Sequence, residues 1–157
     1  WASSSPFQFF TSHPEPALAR ATAEGRKAEF AAHGWDADEI PDPQDIETFS
    51  RSKLKWDDLD SGDHARLLEL YRALIALRHA EPDLADPWLD HMSVDYDEAQ
   101  RWIALHRGAF TLVCNLGEET VTVPVAGEIV LASADPTVGD GTELPGQSFT
   151  ILRTVKQ

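Results

Sequence analysis

The chain has 157 residues, of which 42% are apolar and 25% charged, the proportions of one ordinary globular domain or two small ones. It carries 13 Lys and Arg against 27 Asp and Glu, a formal net charge of −14. This charge argues against nucleic acid or an anionic membrane as partner, because both require a positive surface. A single cysteine, Cys114, excludes an intrachain disulfide and a multi-cysteine zinc site.

The sequence contains no apolar run of the roughly 20 residues that a membrane helix needs, and no charged-then-apolar signal opens it. Together with the low cysteine content, this indicates a cytoplasmic protein. The chain begins at Trp1, and its first residues have the composition of the middle of a loop. We therefore expect a fragment of a longer or processed protein.

The first predicted element is a helix over Ala17–Ala32. Ser12 and Glu15 match a capping box, Pro14 or Pro16 fits a first turn, and Gly34 stands where a left-handed C-terminal cap belongs. A short helical turn is predicted around Asp45–Arg51. Trp35 and Trp56, in the punctuated segment 35–62, are interpreted as packing anchors.

Residues 63–81 carry the clearest pattern in the chain. Their leucines, with Tyr71 and Ile75, follow helical spacing in a wide apolar stripe, Arg78 and His79 suit the C-terminal end, and Pro82 ends the helix. So broad a stripe must bury against a large partner surface.

From about residue 91 the apolar period changes to two, which predicts an antiparallel β-sandwich. The turn signals include a Gly/Asp-rich stretch at Asp135–Gly146. Trp102, Phe110 and Phe149 are expected to face the core. The predicted strands are His91–Tyr96, Trp102–Arg107, Ala109–Asn115, Thr120–Val125, Glu128–Ser133 and Ser148–Val155.

No constellation of catalytic residues stands out. The acidic cluster of Asp95, Asp97 and Glu98 is best explained as a hairpin turn, because it lacks the glycine and distal glutamate of a calcium loop. The histidines form no metal-ligand motif, and Cys114 is interpreted as a buried, inert thiol. We expect no metal and no cofactor.

Phe7, Gln8, Phe9 and Phe10 form an aromatic cluster in a Ser-rich loop. Flat apolar rings beside hydroxyl and amide groups suit sugars, which have an apolar face and a polar rim. The competing interpretation, favoured for each ring taken alone, is that the rings hold the loop on a protein core.

Three segments resemble the maltooligosyltrehalose trehalohydrolase family of the α-amylase superfamily. They are the opening W-A-S-S-S-P-F-Q-F-F-T-S-H, the P-D-P-Q-D of residues 41–45 with Thr48-Phe49, and S-K-L-x-W at residues 52–56. Residues 24–30 and the helix around residues 71–78 extend the resemblance over about the first 85 residues. Ser12 departs from the Asp often found at its position in the family.

The resemblance implies the C-terminal end of a (β/α)₈ barrel over residues 1–84, with the loop after its last strand at residues 1–13, followed by an antiparallel β domain over residues 88–157. It implies a glycosidase that cleaves the α-1,4 bond next to the terminal trehalose of maltooligosyltrehalose with retention. The family's catalytic Asp nucleophile, Glu acid/base and third Asp lie upstream of Trp1, so no catalytic residue is assigned here and the fragment alone is expected to be inactive. By loop position, Phe7, Gln8, Phe9 and Phe10 would form the trehalose-side rim of the cleft.

The expected partners are maltooligosyltrehalose or a related α-glucan and the upstream barrel of the same protein. Two alternatives stay open. One is a branching or debranching enzyme of the same superfamily, and the other is a non-catalytic module for carbohydrate binding or packing.

Overall fold

The computed structural model describes residues 1–154, which belong to two compact units, Trp1–Leu67 and Leu68–Gln157. The first unit contains loops and helices, and the second is mostly strands. The predicted boundary near residues 84–88 stays a prediction. In residues 1–154 there is no helix with the length and apolar character required to cross a membrane.

Helix α1 (Pro16–Ala31) lies close to its predicted position, with Pro16 in the first turn. The capping-box prediction is wrong. Glu15 occupies the N-cap and makes no side-chain cap hydrogen bond, so Ser12 lies outside the helix. Helix initiation here depends on Pro16, whose fixed φ suits a first turn. Gly34 has φ +84°, which confirms the left-handed conformation predicted after the helix.

Helix α2 (Ile46–Arg51) confirms the predicted helical turn. Asp45 caps it by accepting a hydrogen bond of 2.9 Å from the backbone N–H of Glu47. A 3₁₀ turn, Trp56–Asp60, follows.

Helix α3 (Gly62–Ala80) confirms the strongest helical prediction, with Arg78 and His79 in its last turn. Pro82 ends it and opens the short helix α4 (Pro82–Ala85), after which comes a 3₁₀ turn, Leu89–His91. None of the side chains of α3 is fully buried within the described residues, and Tyr71 and Ile75 are each 56% exposed. The described chain therefore leaves much of this apolar stripe uncovered.

The strands form two antiparallel sheets, which confirms an antiparallel β domain in the second half of the chain. The strands are β1 (Met92–Asp97), β2 (Trp102–Arg107), β3 (Phe110–Asn115), β4 (Val121–Val123), β5 (Glu128–Ala132), β6 (Thr137–Val138), β7 (Thr142–Leu144) and β8 (Ser148–Arg153). The larger sheet has the order β1-β2-β3-β8-β5 and the smaller β4-β7-β6.

Side chains from both sheets share one hydrophobic core. The larger sheet contributes Trp102, Ala104, Val113 and Leu152, and the smaller contributes Val121, Val123 and Leu144. Trp102 and Phe110 are buried, as predicted, whereas Phe149 is only half-buried. Val155, in the predicted last strand, lies outside the described residues.

The interpretation of Asp135–Gly146 as a turn stretch is wrong, because it contains strands β6 and β7. A tight turn joins them, in which the N–H of Gly139 donates to the carbonyl of Gly141 at 2.8 Å. Leu144 is fully buried, and the Thr142 hydroxyl donates to the Val125 carbonyl at 2.6 Å. Strands of two and three residues are too short for their alternation to stand out from the surrounding glycines and aspartates.

Buried Asn115, at the end of β3, ties the two sheets together. The two N–H groups of its Nδ2 are shared among three carbonyls, those of Leu144 at 3.1 Å, Pro145 at 3.0 Å and Glu119 at 2.7 Å. Its Oδ1 accepts from the N–H of Gly117 at 2.9 Å. These bonds fix the turns that lead into β4 and out of β7.

Candidate functional site

The aromatic loop lies beside a cavity in the first unit. Phe7, Gln8 and Phe9 line a cavity of about 230 Å³, together with Arg26, Phe30, Trp35, Glu39, Ile40 and Pro41. Phe7 is fully exposed and Phe9 is 50% exposed. Phe10 is not among the lining residues, since its ring packs edge-on against Phe49 at 5.0 Å between centroids. The structure therefore brings together three of the four predicted site residues and sets Phe10 apart.

Three hydrogen bonds attach this loop to the segment that follows α1. The N–H of Thr11 donates to the Pro43 carbonyl at 2.8 Å, and the N–H of His13 donates to Oε1 of Gln44 at 3.0 Å. The N–H of Gln8 donates to Oγ of Ser52 at 3.3 Å. The P-D-P-Q-D segment thus has a structural role, because it holds the loop that carries the aromatic side chains.

The P-D-P-Q-D segment is itself held by two hydrogen bonds, one of them from a buried side chain. Thr48, 1% exposed, donates its hydroxyl to the Asp42 carbonyl at 2.7 Å, and Oδ1 of Asp42 accepts from the N–H of Gln44 at 2.8 Å. Pro43 is fully buried. A polar group with so little solvent access is stabilised by its hydrogen bond, so the segment forms a defined support.

Arg26 is a cavity residue that the sequence analysis missed. Its guanidinium lies over the Phe30 ring at 4.2 Å and over the Phe9 ring at 5.2 Å, and its Nη1 donates to Oε2 of Glu29 at 3.0 Å. Spacings of three and four residues place Glu29 and Phe30 beside Arg26 on α1, and this spacing in the sequence indicates the contacts of Arg26 within the helix. The contact with Phe9 joins α1 to the aromatic loop and has no local signature.

The interpretation of Trp35 and Trp56 as packing anchors is not supported by their burial, since each is 61% exposed. Trp35 packs edge-on against Phe30 at 5.6 Å and lines the cavity, and Trp56 lies 5.1 Å from the Trp1 ring. The Trp35 ring is therefore part of the candidate site.

The acidic residues of the β domain have local roles. Asp97 accepts hydrogen bonds of 2.9 Å from the N–H and the side-chain amide of Gln100, and the backbone bond is the main cause that lowers the pKa of Asp97. Asp95 pairs with Nε2 of His106 at 2.9 Å. This geometry supports the hairpin-turn interpretation of the cluster.

Two further titratable side chains, Asp86 and Cys114, have shifted pKa values. The N–H of Trp88 and the His91 ring hydrogen-bond to Asp86 and lower its pKa. Cys114 is half-buried rather than buried, and desolvation raises the pKa of its thiol, which disfavours the nucleophilic thiolate. Across residues 1–154, His, Cys, Asp and Glu form no group of three or more suited to a metal ion.

Comparison with known proteins gives consistent matches. A family described as a domain of unknown function, DUF3459, matches residues 87–151. A malto-oligosyltrehalose trehalohydrolase from Mycobacterium tuberculosis (strain H37Rv) is 61% identical over 157 residues, 99% of this chain and 27% of the relative. The protein of the same name from Rhizobium sp. (strain M-11) is 46% identical over 156 residues, 98% of this chain and 26% of the relative.

A solved structure gives the same picture. A 1.4 Å crystal structure from Salmonella typhimurium, assigned as an alpha amylase, matches with a TM-score of 0.77 and 31% identity, covering 97% of this chain and 26% of that chain. The chain thus spans about a quarter of the length of the relatives it matches. These matches confirm the resemblance found in the sequence, and the chain is a relative of the malto-oligosyltrehalose trehalohydrolases, similar to them over nearly all of its own length.

Proposed function

We propose that this chain is the C-terminal part of a glycoside hydrolase. The enzyme cleaves the α-1,4 bond next to the terminal trehalose of maltooligosyltrehalose and releases trehalose. The observation that carries the proposal is 61% identity over 99% of the chain to a malto-oligosyltrehalose trehalohydrolase. The structural match to an alpha amylase, at 31% identity, supports a glycosidase more broadly.

In this proposal the catalytic carboxylates lie in a part of the protein that this chain does not include. A glycosidase acid needs a raised pKa. The pKa values of Asp86 and Asp97 are shifted downward, and hydrogen bonds in local turns explain both shifts. Because the proposal assigns the catalytic carboxylates to another part of the protein, the chain alone is proposed to be inactive.

We also propose that residues 1–84 complete a (β/α)₈ barrel and that residues 88–157 form the C-terminal β domain. The half-exposed Tyr71 and Ile75 on α3 support this assignment, because an apolar helix face of this kind is stabilised by packing on a sheet. The proposed partners are an α-glucan substrate and that barrel, and the cytoplasm is the proposed location.

Within the proposed enzyme, Phe7, Gln8 and Phe9 line the trehalose-side rim, and Phe10 supports it through its contact with Phe49. Exposed aromatic rings beside an amide suit a sugar, since the rings cover its apolar face and the amide hydrogen-bonds its hydroxyls.

The test uses the full-length protein with maltooligosyltrehalose as substrate. Loss of one sugar contact costs on the order of 1 kcal/mol, so Phe9→Ala and Gln8→Ala should each lower kcat/KM about fivefold. Leu18→Ala is the control, because Leu18 is exposed on α1 and does not line the cavity. Values within about twofold of the parent for both site variants would contradict the rim assignment.

The products separate the alternatives. A branching or debranching enzyme would change α-1,6 branch points and release no trehalose. A non-catalytic module would bind glucan and cleave nothing, even in the full-length protein.

A further inference from the structure

Arg26 is held in place on three sides before any ligand arrives. The rings of Phe30 and Phe9 lie on the guanidinium at 4.2 and 5.2 Å, and Glu29 accepts from Nη1. Its side chain is 30% exposed. A guanidinium ordered in this way loses little further conformational entropy when it makes a new hydrogen bond.

Part of the donor capacity of Arg26 is unused. A guanidinium carries five N–H groups. Among residues 1–154, Glu29 is the hydrogen-bond acceptor found for Arg26, and it engages Nη1, which leaves Nε and Nη2 without a protein acceptor. Because Arg26 also lines the cavity, these donors are available to a ligand there.

The charges around the cavity favour a neutral ligand over an anion. Glu29 compensates the charge of Arg26, and a second acidic residue, Glu39, lines the cavity. An anion would be repelled by these two carboxylates. A neutral sugar can accept from Arg26, donate to Glu39 and lay its apolar face on the rings.

We propose that Arg26 is a specificity-determining residue that recognises hydroxyl groups of a neutral sugar bound in this cavity. The inference rests on the proposed function for the identity of that sugar, trehalose or the glucosyl unit next to it. It adds a named hydrogen-bond donor beside the rim residue Phe9.

The experiment compares Arg26→Met, Arg26→Lys and the control Arg20→Met in the full-length protein. Methionine keeps most of the apolar bulk without donors, lysine keeps the charge without the planar fork, and Arg20 is an exposed residue of the same helix. The readouts are the Kd for trehalose by calorimetry, kcat and KM for trehalose release, and thermal unfolding to establish that each variant is folded.

Loss of one hydrogen bond predicts a Kd for trehalose about fivefold higher in Arg26→Met, with a matching rise in KM, a smaller change in kcat and no effect of Arg20→Met. Arg26→Lys should fall in between. One deoxy-trehalose, which lacks the hydroxyl that Arg26 contacts, should bind the parent more weakly than trehalose does. The same compound should bind Arg26→Met as tightly as trehalose does. A purely structural role of Arg26 would not produce this difference.

The outcomes separate the two proposals. Trehalose release with an unchanged Kd in folded Arg26→Met and Arg26→Lys would overturn the role of Arg26 and leave the proposed function standing. Arg26-dependent trehalose binding without trehalose release would support the site and refute the proposed reaction. Displacement of trehalose by inorganic phosphate, or no trehalose binding by the parent, would overturn the inference.

Discussion

Replacing Asn115 by alanine tests whether its side chain joins the two sheets. The substitution removes the donor to the carbonyls of Leu144, Pro145 and Glu119 and the acceptor for the N–H of Gly117. The bonds to Leu144 and Gly117 are buried, whereas the other two are partly open to water. Each buried group left unsatisfied costs about 1–3 kcal/mol, and two such groups lose their partner, so the free energy of unfolding should fall by about 2–6 kcal/mol.

The assay is equilibrium urea unfolding of the purified chain, followed by far-ultraviolet circular dichroism. Asn115→Asp is an isosteric comparison that creates no cavity but places a carboxylate oxygen toward three carbonyls, so it should be at least as destabilising. Thr122→Ala, at an exposed position of β4, is the control. An Asn115→Ala variant within about 0.5 kcal/mol of the parent would refute the reasoning.

Three further predictions concern other parts of the chain. A Cβ at Gly146 would overlap a backbone carbonyl, so Gly146→Ala should lower the free energy of unfolding by about 1–3 kcal/mol. A Cβ at Gly139 meets open space, so Gly139→Ala should lower it by less than about 1 kcal/mol. Equal urea midpoints for the two variants would contradict this prediction. Thr48→Val should loosen the aromatic loop and raise amide hydrogen exchange over residues 8–13, and unchanged exchange would argue against the support role. Hydrogen bonds lower the pKa of Asp97 in the folded state. Ionised Asp97 therefore stabilises the fold at pH values above the pKa that it has in the unfolded chain, and this contribution is lost as the pH falls through its pKa in the folded protein. The stability difference between the parent and Asp97→Ala should therefore shrink below about pH 4, and a pH-independent difference in urea titrations would contradict it.

Regular elements were predictable where one pattern dominated the local sequence. Strand β2 has the predicted bounds, Trp102–Arg107, and α3 departs from its prediction by one residue at each end. Strands β6 and β7 were missed because pairs and triplets of residues carry too little periodicity, and their pairing depends on distant partners. The N-terminus of α1 was misassigned because a capping-box pattern also occurs by chance, while Pro16 fixed the first turn.

The candidate site was only partly predictable for a related reason. Composition singled out Phe7, Gln8 and Phe9, which line the cavity, but could not show that adjacent Phe10 packs elsewhere. Arg26 reaches the site through a contact with Phe9, seventeen positions away, that no local pattern encodes.

The measurement that tests the central claim most directly is product analysis of the full-length protein acting on maltooligosyltrehalose. The account predicts free trehalose and a maltooligosaccharide shortened by that unit. Glucose or maltose without trehalose, branch-point products, or no cleavage at all would contradict it.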